Sequence, residues 1–257
     1  MKYFLFICLT PLFISFAQVD SIIVSDIKNF GIVSAGFYTA PLRYESDDWI
    51  KLSSVIGVVT LSSFADKEVK SFSQRNQSKL SNDIFNADKY YSTEFAIGSV
   101  VALYGYGLIG NNTRIRRLAV NLTEASFLAG SITLVTKVIV GRGRPYKQDN
   151  NYYSHPFTFD NDYNSFPSGH TTLAFAYSTV MANEVDNIFW KVGWYSLAGL
   201  VGYSRIYHNQ HWVSDVLMAA AIGYFSGEFV VNHSNQVNET KVSIFPLPGG
   251  LAFQINF

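Results

Sequence analysis

Residues 204–215 read SRIYHNQHWVSD, a polar stretch that separates two long apolar segments. Burying an arginine, two histidines and an aspartate there is costly unless they bond to one another or to a ligand. His211 and Asp215 are four residues apart, so on a helix they would share one face. Asp215 would then accept the Nδ1 proton of His211 and leave Nε2 free to attack a substrate. An exposed histidine–aspartate pair is the simpler alternative.

A second motif lies upstream, where SFPSGH at residues 165–170 precedes an apolar run that starts at Thr171. Proline, serine and glycine are typical of a helix start, whose free N–H groups and positive dipole end bind anions. Gly169 would let an anion approach the backbone closely. Ser168 is also an ordinary helix cap. Capping does not explain His170, because a cap needs no imidazole at that position.

The third motif, KVIVGRGRP at residues 137–145, ends a predicted helix. Its glycines break the helix, and its proline prevents the helix from resuming. Lys137, Arg142 and Arg144 therefore converge at a helix end and in the loop beyond it. Basic side chains also favour helix C-termini without binding a ligand, so this motif alone does not establish an anion site. We expect Arg144 rather than Arg142 to face the anion.

Taken together, the three motifs resemble those of the type 2 phosphatidic acid phosphatase and vanadium haloperoxidase superfamily. That family's pattern is lysine, six residues and Arg-Pro, then Pro-Ser-Gly-His, then Ser-Arg, five residues, histidine, three residues and aspartate. The sequence matches every position in order, from Lys137 to Asp215. The surrounding helices extend the resemblance to roughly residues 50–232, so the first 48 residues and the tail lie outside it.

The resemblance implies an all-helical bundle with an active site assembled from two loops on one face. It also implies a metal-independent phosphatase that works through a phosphohistidine. The implied catalytic residues are His211 as the nucleophile, Asp215 as the residue that orients it and His170 as the general acid. The implied phosphate ligands are Lys137, Arg144, Ser168, the Gly169 amide and Arg205.

No metal or cofactor is expected, because three cations can stabilise the charge of an in-line phosphoryl transfer. A histidine nucleophile divides the displacement into two steps, with His170 as acid in the first and base in the second. His208, His211 and Asp215 offer an alternative reading as a metal site. The His-Glu-x-x-His pattern found in many zinc hydrolases is absent from the sequence, which disfavours that alternative.

Composition limits the class of protein. The 257 residues include 19 basic and 19 acidic side chains, for a formal net charge of zero. Nucleic-acid-binding proteins usually carry a basic excess, so no nucleic-acid partner is expected. Charged residues make up 15% of the chain, against ~25% in typical soluble domains, which leans towards a membrane-associated or deeply buried helical protein.

The N-terminal residues 1–17 combine Lys2, a short apolar run, and a small-x-small pattern formed by Ser15 and Ala17. This pattern predicts a secretory signal peptide cleaved after Ala17, with an uncleaved anchor as the alternative. Cys8 lies in this segment, so the mature chain would have neither disulfides nor thiolate chemistry. Residues 18–48 are predicted to be an extracytoplasmic lead-in, 49–232 a phosphatase-like domain and 233–257 a tail.

Apolar segments predict an all-α bundle of about six core helices. They lie at residues 49–65, 94–110, 115–140, 170–184, 190–204 and 212–231. The polar stretch 66–88 predicts a solvated helix and a loop. In the tail, alternating apolar residues on either side of Pro246-Leu-Pro-Gly-Gly250 predict a short β-hairpin.

The link at residues 141–166 is rich in glycine, proline, asparagine, aspartate and tyrosine, without helical periodicity. Loops of this length in a compact domain tend to be functional. Four tyrosines and His155 would either shape substrate access or simply pack against one another; the tyrosines are Tyr146, Tyr152, Tyr153 and Tyr163.

The apolar segments are marginal against the ~20 residues that a membrane span needs. Arg114, Arg116 and Arg117 precede the third segment, and three arginines in a short loop favour a cytoplasmic position. The 141–166 loop would then face the outside, in a five-crossing or a peripheral arrangement. A wholly soluble periplasmic bundle is the alternative.

The leading hypothesis is an exported phosphatase at the membrane that hydrolyses phosphate monoesters or diphosphates on its extracytoplasmic side, with a phosphorylated lipid as substrate. One alternative is a soluble, non-specific periplasmic acid phosphatase. Another is a vanadate-dependent haloperoxidase, since the same pocket would bind vanadate. A non-enzymatic lipid-binding protein would not need all three motifs.

Overall fold

The computed structural model describes residues 16–86, 93–239, 241–247 and 250–256. It confirms the all-α bundle, and a two-stranded sheet follows at the C-terminus. The predicted signal-peptide residues 1–15 lie outside the described residues. The helices are α1 (Phe16–Thr39), α2 (Ser46–Ser62), α3 (Asp66–Arg75), α4 (Lys79–Phe85), α5 (Thr93–Ile109), α6 (Thr113–Val140), α7 (Gly169–Asn183), α8 (Ile188–Tyr207) and α9 (Val213–Glu239), and the strands are β1 (Lys241–Leu247) and β2 (Gly250–Asn256).

Helix α6 carries the third motif, residues 137–145, to its place because both of its ends are fixed. At the start, the side chain of Asn112 accepts a hydrogen bond from the N–H of Ile115 at 3.1 Å. At the other end, Gly141 adopts a left-handed conformation with φ of 57°. A β-carbon on Gly141 would lie 2.0 Å from the carbonyl oxygen of His155, so only glycine fits there.

Helix α7 lies at the centre of the bundle, between α6, α8 and α9. Gly223 of α9 allows a close approach, since a β-carbon there would lie 2.4 Å from the carbonyl oxygen of Thr172 in α7. The main core combines side chains from α1, α6, α7 and α9; its buried members include Val33, Leu122, Leu128, Val180 and Val230. This packing fixes the start of α7 relative to the start of α9, where the other two motifs lie.

The predicted lead-in differs from the structure. Residues 18–39 belong to α1, and residues 40–43 form a short 3₁₀ helix. Helix α1 packs on the bundle because Val33 is buried in the main core and Phe37 packs edge-on against Phe229 of α9, with ring centroids 5.2 Å apart. The boundary drawn at residue 48 therefore separates elements that share one core.

Two of the described helices, Thr113–Val140 and the stretch Val213–Ser234 of α9, are long and apolar enough to cross a membrane. In the most apolar 18-residue window of each helix the mean hydropathy is 1.4 and 1.3, and 44% and 39% of the window is buried in the bundle. A buried core helix of a soluble protein would meet the same criteria, so length and composition alone do not place this chain in a membrane.

The tail forms the predicted hairpin. Strands β1 and β2 are antiparallel, and their register pairs Lys241 with Asn256 and Leu247 with Gly250. The central Pro248 and Gly249 of the turn lie outside the described residues. Helix α9 continues to Glu239, so the tail begins later than the predicted boundary at residue 233.

Candidate active site

Direct hydrogen bonds bring the three motifs together at one end of the bundle. The N–H of Ser168, in the second motif, donates to the carbonyl oxygen of Asp215 at 3.2 Å. The N–H of Ser165 donates to the carbonyl of Arg142 at 3.0 Å. The Nζ of Lys137 donates to the carbonyl of Asn164 at 2.5 Å. Segments that are up to 78 residues apart in the sequence therefore form one site.

His211 does not lie on the helix that carries Asp215. Helix α9 begins at Val213, so His211 belongs to the turn between α8 and α9, and the expected shared helix face is wrong. The Nδ1 atom of His211 lies 2.7 Å from the carbonyl oxygen of Ser165 and 3.7 Å from Asp215 Oδ2. Only the first distance is a hydrogen bond. Because a carbonyl cannot donate, Nδ1 carries the proton and Nε2 carries the lone pair.

Asp215 instead holds the surroundings of His211 in place. Its Oδ2 accepts hydrogen bonds from the Ser165 hydroxyl at 2.5 Å and from the N–H of Trp212 at 2.9 Å. Trp212 precedes the first residue of α9, so the second bond satisfies a free donor at the helix start. Asp215 thus holds two residues in place. One is Ser165, whose carbonyl accepts the hydrogen bond from His211 Nδ1, and the other is Trp212, which follows His211.

Burial lowers the pKa of His211 from 6.5 to about 4, and the nearby Lys137 and Arg144 lower it further, against the opposing effect of Asp215. The side chain is only 3% exposed. An imidazole in this environment is neutral at pH 7, which is the form that can act as a nucleophile.

Cationic side chains from two motifs approach His211. Arg144 donates from Nε to the carbonyl of Asn161 at 2.8 Å and from Nη1 to Gln210 Oε1 at 2.8 Å, which fixes its guanidinium. Burial lowers the pKa of Arg144, and the neighbouring Arg205 lowers it too. A β-carbon on Gly169 would lie 3.8 Å from Lys137 Cε, so the lysine passes beside the start of α7. The structure thus brings Lys137 beside the start of α7, and it brings Arg144 close enough to Arg205 and His211 for their charges to affect one another.

The start of α7 presents the remaining predicted residues. Ser168 occupies the cap position, yet its side chain makes no capping hydrogen bond. Its Oγ accepts a hydrogen bond from the Thr171 hydroxyl at 2.9 Å, which leaves the Ser168 O–H proton available to donate to an anion. His170 lies in the first turn of α7 and is exposed, as a residue that exchanges protons with substrate and water must be.

Arg142 has a different place from the other cations. It is buried, and it donates to Asp215 Oδ1 at 2.5 Å, to Asp66 Oδ2 at 2.6 Å and to the Ser214 hydroxyl at 2.7 Å. Arg142 is therefore held between two carboxylates of the protein, Asp66 and Asp215. Sequence reasoning missed Asp66, because this residue lies in the polar 66–88 stretch, outside every motif.

The alternative metal site does not form. The Nε2 atom of His208 lies 3.3 Å from the carbonyl oxygen of Phe85, so this ring is used elsewhere. Among residues 16–86 and 93–239, no group of three or more His, Cys, Asp or Glu side chains could hold a metal ion. In the long loop, Tyr163 packs against Tyr153 and His155, with centroid distances of 5.9 and 5.3 Å, in keeping with the packing alternative for these rings.

The comparison with known families agrees with this geometry. Residues 118–238, which carry all three motifs, match the model of the PAP2 superfamily. Over this region the chain is similar to the PAP2 superfamily.

One curated relative and two solved structures are similar to this chain. The chain is 33% identical over 133 residues to a lipid A 1-phosphatase from Porphyromonas gingivalis, which covers 50% of this chain and 26% of that relative. The chain thus matches only about a quarter of that curated protein. The Aquifex aeolicus LpxE crystal structure is similar with a TM-score of 0.51 and 23% identity, over 64% of this chain and 93% of that one.

A second solved structure shares the PAP2 fold. It is a transmembrane PAP2-type phosphatidylglycerolphosphate phosphatase from Bacillus subtilis, with a TM-score of 0.50 and 16% identity, over 83% of this chain and 96% of that one. At these identities, the two solved structures support the fold alone.

The low pKa of His211 has a consequence for stability. The unfolded chain has an imidazole pKa near 6.5 and the folded chain one of about 4, so between these pH values only the unfolded chain binds the proton. Stability is therefore lost as the pH falls through this window. Between pH 6.5 and pH 4, the free energy of unfolding of the unsubstituted protein should fall by on the order of 3 kcal/mol more than that of His211→Asn. Urea unfolding at both pH values measures this difference, and parallel losses in the two proteins would contradict the assignment.

Proposed function

We propose that this protein is a metal-independent phosphatase that hydrolyses phosphorylated lipids through a phosphohistidine on His211. The observation that carries the proposal is the neutral, buried imidazole whose Nδ1 is bound to the Ser165 carbonyl while Lys137 and Arg144 lie beside it. A nucleophilic nitrogen among cations suits attack on a phosphate, because the cations stabilise the charge of the transferred group.

In the first step, the Nε2 lone pair of His211 forms a bond to phosphorus while the bond from phosphorus to the leaving oxygen breaks. A protonated His170 gives its proton to that oxygen, so the lipid leaves as a neutral alcohol, or as a lower phosphate when the substrate is a diphosphate. Lys137, Arg144 and Arg205 would bind the equatorial phosphate oxygens, with the Ser168 hydroxyl and the Gly169 amide.

In the second step, His170, now neutral, takes a proton from a water molecule. The water oxygen bonds to phosphorus as the N–P bond breaks and its electron pair returns to Nε2. Inorganic phosphate leaves, and both histidines are restored to their starting states. One imidazole therefore serves as acid and then as base, which needs an exposed position that water reaches.

A lipid substrate is supported by the outer surface of the bundle. Large apolar side chains are exposed on several helices, far beyond the scattered exposure of a soluble monomer. On α6 they are Phe127, Leu134, Val135 and Ile139, on α5 Phe95, Ile97 and Val101, and on α8 Ile188, Phe189 and Val192. We propose that this band contacts the hydrocarbon region of a membrane.

The charges along α6 support an orientation. Arg116, near its start, forms an ion pair with Asp26 at 3.1 Å, and Lys137 lies 21 residues further on, at the active site. At 1.5 Å per residue this separation is roughly 32 Å, about the thickness of a bilayer's hydrocarbon core. With the arginine-rich end in the cytoplasm, the active site would face the extracytoplasmic side. This orientation makes up the proposed localisation, and it places Asp26 at the cytoplasmic end, which favours the uncleaved anchor over a cleaved signal peptide.

Two aromatic side chains at the active-site end should matter for lipid substrates only. Phe157 and Phe159 are 76% and 82% exposed, and the N–H of Phe157 bonds to the carbonyl of Val138, which places this residue beside the last turns of α6. We expect Phe157→Asn with Phe159→Ser to lower kcat/KM roughly tenfold on a lipid phosphate in vesicles, since buried apolar area is lost. Asparagine tolerates the positive φ of position 157.

The matched control is Phe72→Ser, which is 57% exposed but lies on the polar helix α3, outside the proposed membrane-contacting band. The double variant and the control should both hydrolyse p-nitrophenyl phosphate at the unsubstituted rate. An equal loss on p-nitrophenyl phosphate and on the vesicle lipid would show damage to the site rather than loss of membrane contact.

The proposed function is tested by measuring phosphate release from five substrates: lipid A 1-phosphate, phosphatidylglycerol phosphate, phosphatidic acid, undecaprenyl diphosphate and p-nitrophenyl phosphate. The full chain is assayed in detergent and in vesicles, with and without a chelator. Lipid substrates should be preferred, and activity should survive the chelator. Release from p-nitrophenyl phosphate alone would favour the soluble acid phosphatase alternative, and activity that vanishes with the chelator would exclude the metal-free mechanism. Vanadate should inhibit; halide oxidation in its presence would point to a haloperoxidase.

A further inference from the structure

Asp66 is a buried carboxylate that no motif contains. It is the first residue of α3, is only 1% exposed and lies 145 residues before His211 in the sequence. A buried charge of this kind is costly unless every oxygen is paired. The hydrogen-bond partners of Asp66 therefore indicate what this buried carboxylate does in the fold.

Both carboxylate oxygens of Asp66 are used, and their partners lead to the active site. Oδ1 accepts the N–H of Ser214 at 3.0 Å. Oδ2 accepts the Ser214 hydroxyl at 2.8 Å and the guanidinium of Arg142 at 2.6 Å. Asn151 adds a hydrogen bond to Oδ2 at 3.3 Å and donates a second one, at 2.8 Å, to the carbonyl of Ser63.

Arg142 links Asp66 to Asp215. One guanidinium nitrogen, Nη2, binds Asp66, while Nη1 binds Asp215 Oδ1 at 2.5 Å. Its Nε donates to the carbonyl of Asn151 at 2.7 Å, and the guanidinium lies 5.6 Å from the centre of the Trp212 ring. The arginine is thus shared by two carboxylates, and all three of its guanidinium nitrogens donate hydrogen bonds.

The bond from Asp66 to the Ser214 N–H has a second effect. Ser214 is the second residue of α9, so its N–H is one of the free donors at the helix start, and a carboxylate there is favoured by the helix dipole. Asp66 therefore fixes the start of α9 from outside the helix, while Asp215 fixes it from inside. His211 lies two residues before this start.

On this basis, and resting on the proposed phosphatase function, we infer that Asp66 is a positioning residue for catalysis. Through Arg142 and the start of α9 it sets the place of Asp215, and Asp215 in turn holds Ser165, the acceptor of the His211 Nδ1 proton. Asp66 and Asp215 both form ion pairs with Arg142, so the positive charge of Arg142 is divided between two carboxylates. The proposed phosphate ligands Lys137 and Arg144 bind other groups, namely the carbonyls of Asn164 and Asn161 and the side chain of Gln210.

The test compares Asp66→Asn with the unsubstituted full chain in steady-state phosphate release. Asparagine keeps the shape and can still accept from the Ser214 N–H, but it removes the charge that Arg142 needs. We expect kcat to fall on the order of 10²-fold, the scale of a small misplacement at a reacting centre, with KM unchanged. Competitive inhibition by inorganic phosphate should also be unchanged. The control is Asp149→Asn, which removes an exposed aspartate paired with Lys70 and should leave kcat and KM unaltered.

A double-variant cycle separates positioning through Arg142 from an independent effect on stability. If Asp66 acts through Arg142, the Asp66→Asn, Arg142→Gln double variant should be no slower than Arg142→Gln alone. Multiplied losses, a kcat equal to that of the unsubstituted protein, or a raised KM with constant kcat would each overturn the inference. Should Asp66→Asn not fold, Ser214→Ala removes a hydroxyl between Asp66 and Arg142, and the same kcat and KM criteria apply. If the unsubstituted chain releases no phosphate, the proposed function itself fails, an outcome distinct from an unaffected Asp66 variant.

Discussion

Replacing His211 by alanine is expected to lower phosphate release from every substrate by at least about 10³-fold, because loss of a covalent nucleophile leaves only binding and charge stabilisation. The unsubstituted enzyme, quenched in alkali during turnover, should carry phosphate on a histidine, and the variant should carry none. Steady-state assays and labelling with radioactive phosphate measure the two effects.

The control for this variant is His233→Gln. This histidine stacks on Phe229 in α9, away from the three motifs, with ring centroids 3.7 Å apart. It should retain full activity. A His211→Ala enzyme that still forms a labelled intermediate would assign the nucleophile to another residue, and one with normal turnover would remove the covalent mechanism.

The sequence predicted the set of residues at the site better than their contacts. The spacing within each motif placed Lys137, Ser168 and His211 in one family pattern, and the fold brings their segments within hydrogen-bonding distance. From the four-residue spacing, however, we predicted that His211 and Asp215 share a helix and that Asp215 accepts a hydrogen bond from His211 Nδ1. In the structure the helix begins at Val213, since the Asp215 side chain binds the Trp212 N–H instead of the imidazole.

Contacts between distant segments explain what could not be predicted. The hydrogen bond from His211 Nδ1 is accepted by the backbone carbonyl of Ser165. Because every residue has a backbone carbonyl, the sequence gives no sign of which one accepts this bond. Asp66 lies in a stretch of alternating charges that reads as a solvated helix, and only the packing of α3 against α9 shows that its carboxylate is buried. The lead-in was misplaced for a similar reason, because α1 becomes part of the core through Val33.

His170 should have a large effect with a distinctive dependence on the substrate. We expect His170→Ala to lower kcat for lipid phosphates by about 10²–10⁴-fold, the usual gain from general acid–base catalysis. An alkyl alcohol leaves poorly without a proton, whereas p-nitrophenolate leaves readily. The first step with p-nitrophenyl phosphate should therefore be much less impaired than the first step with a lipid.

This asymmetry allows the two roles of His170 to be measured separately. With p-nitrophenyl phosphate, His170→Ala should release a rapid burst of p-nitrophenol and then turn over slowly, because water still lacks its base and the phosphohistidine accumulates. The burst amplitude should equal the labelled His211. His155→Ala, an exposed histidine on the long loop, provides the matched control and should show no burst. A contrary result would be an equal fall in the rates of hydrolysis of both substrates by His170→Ala, with no accumulation of phosphoenzyme. Proton transfer by His170 would then limit neither step, and His170 at the start of α7 would serve substrate binding alone.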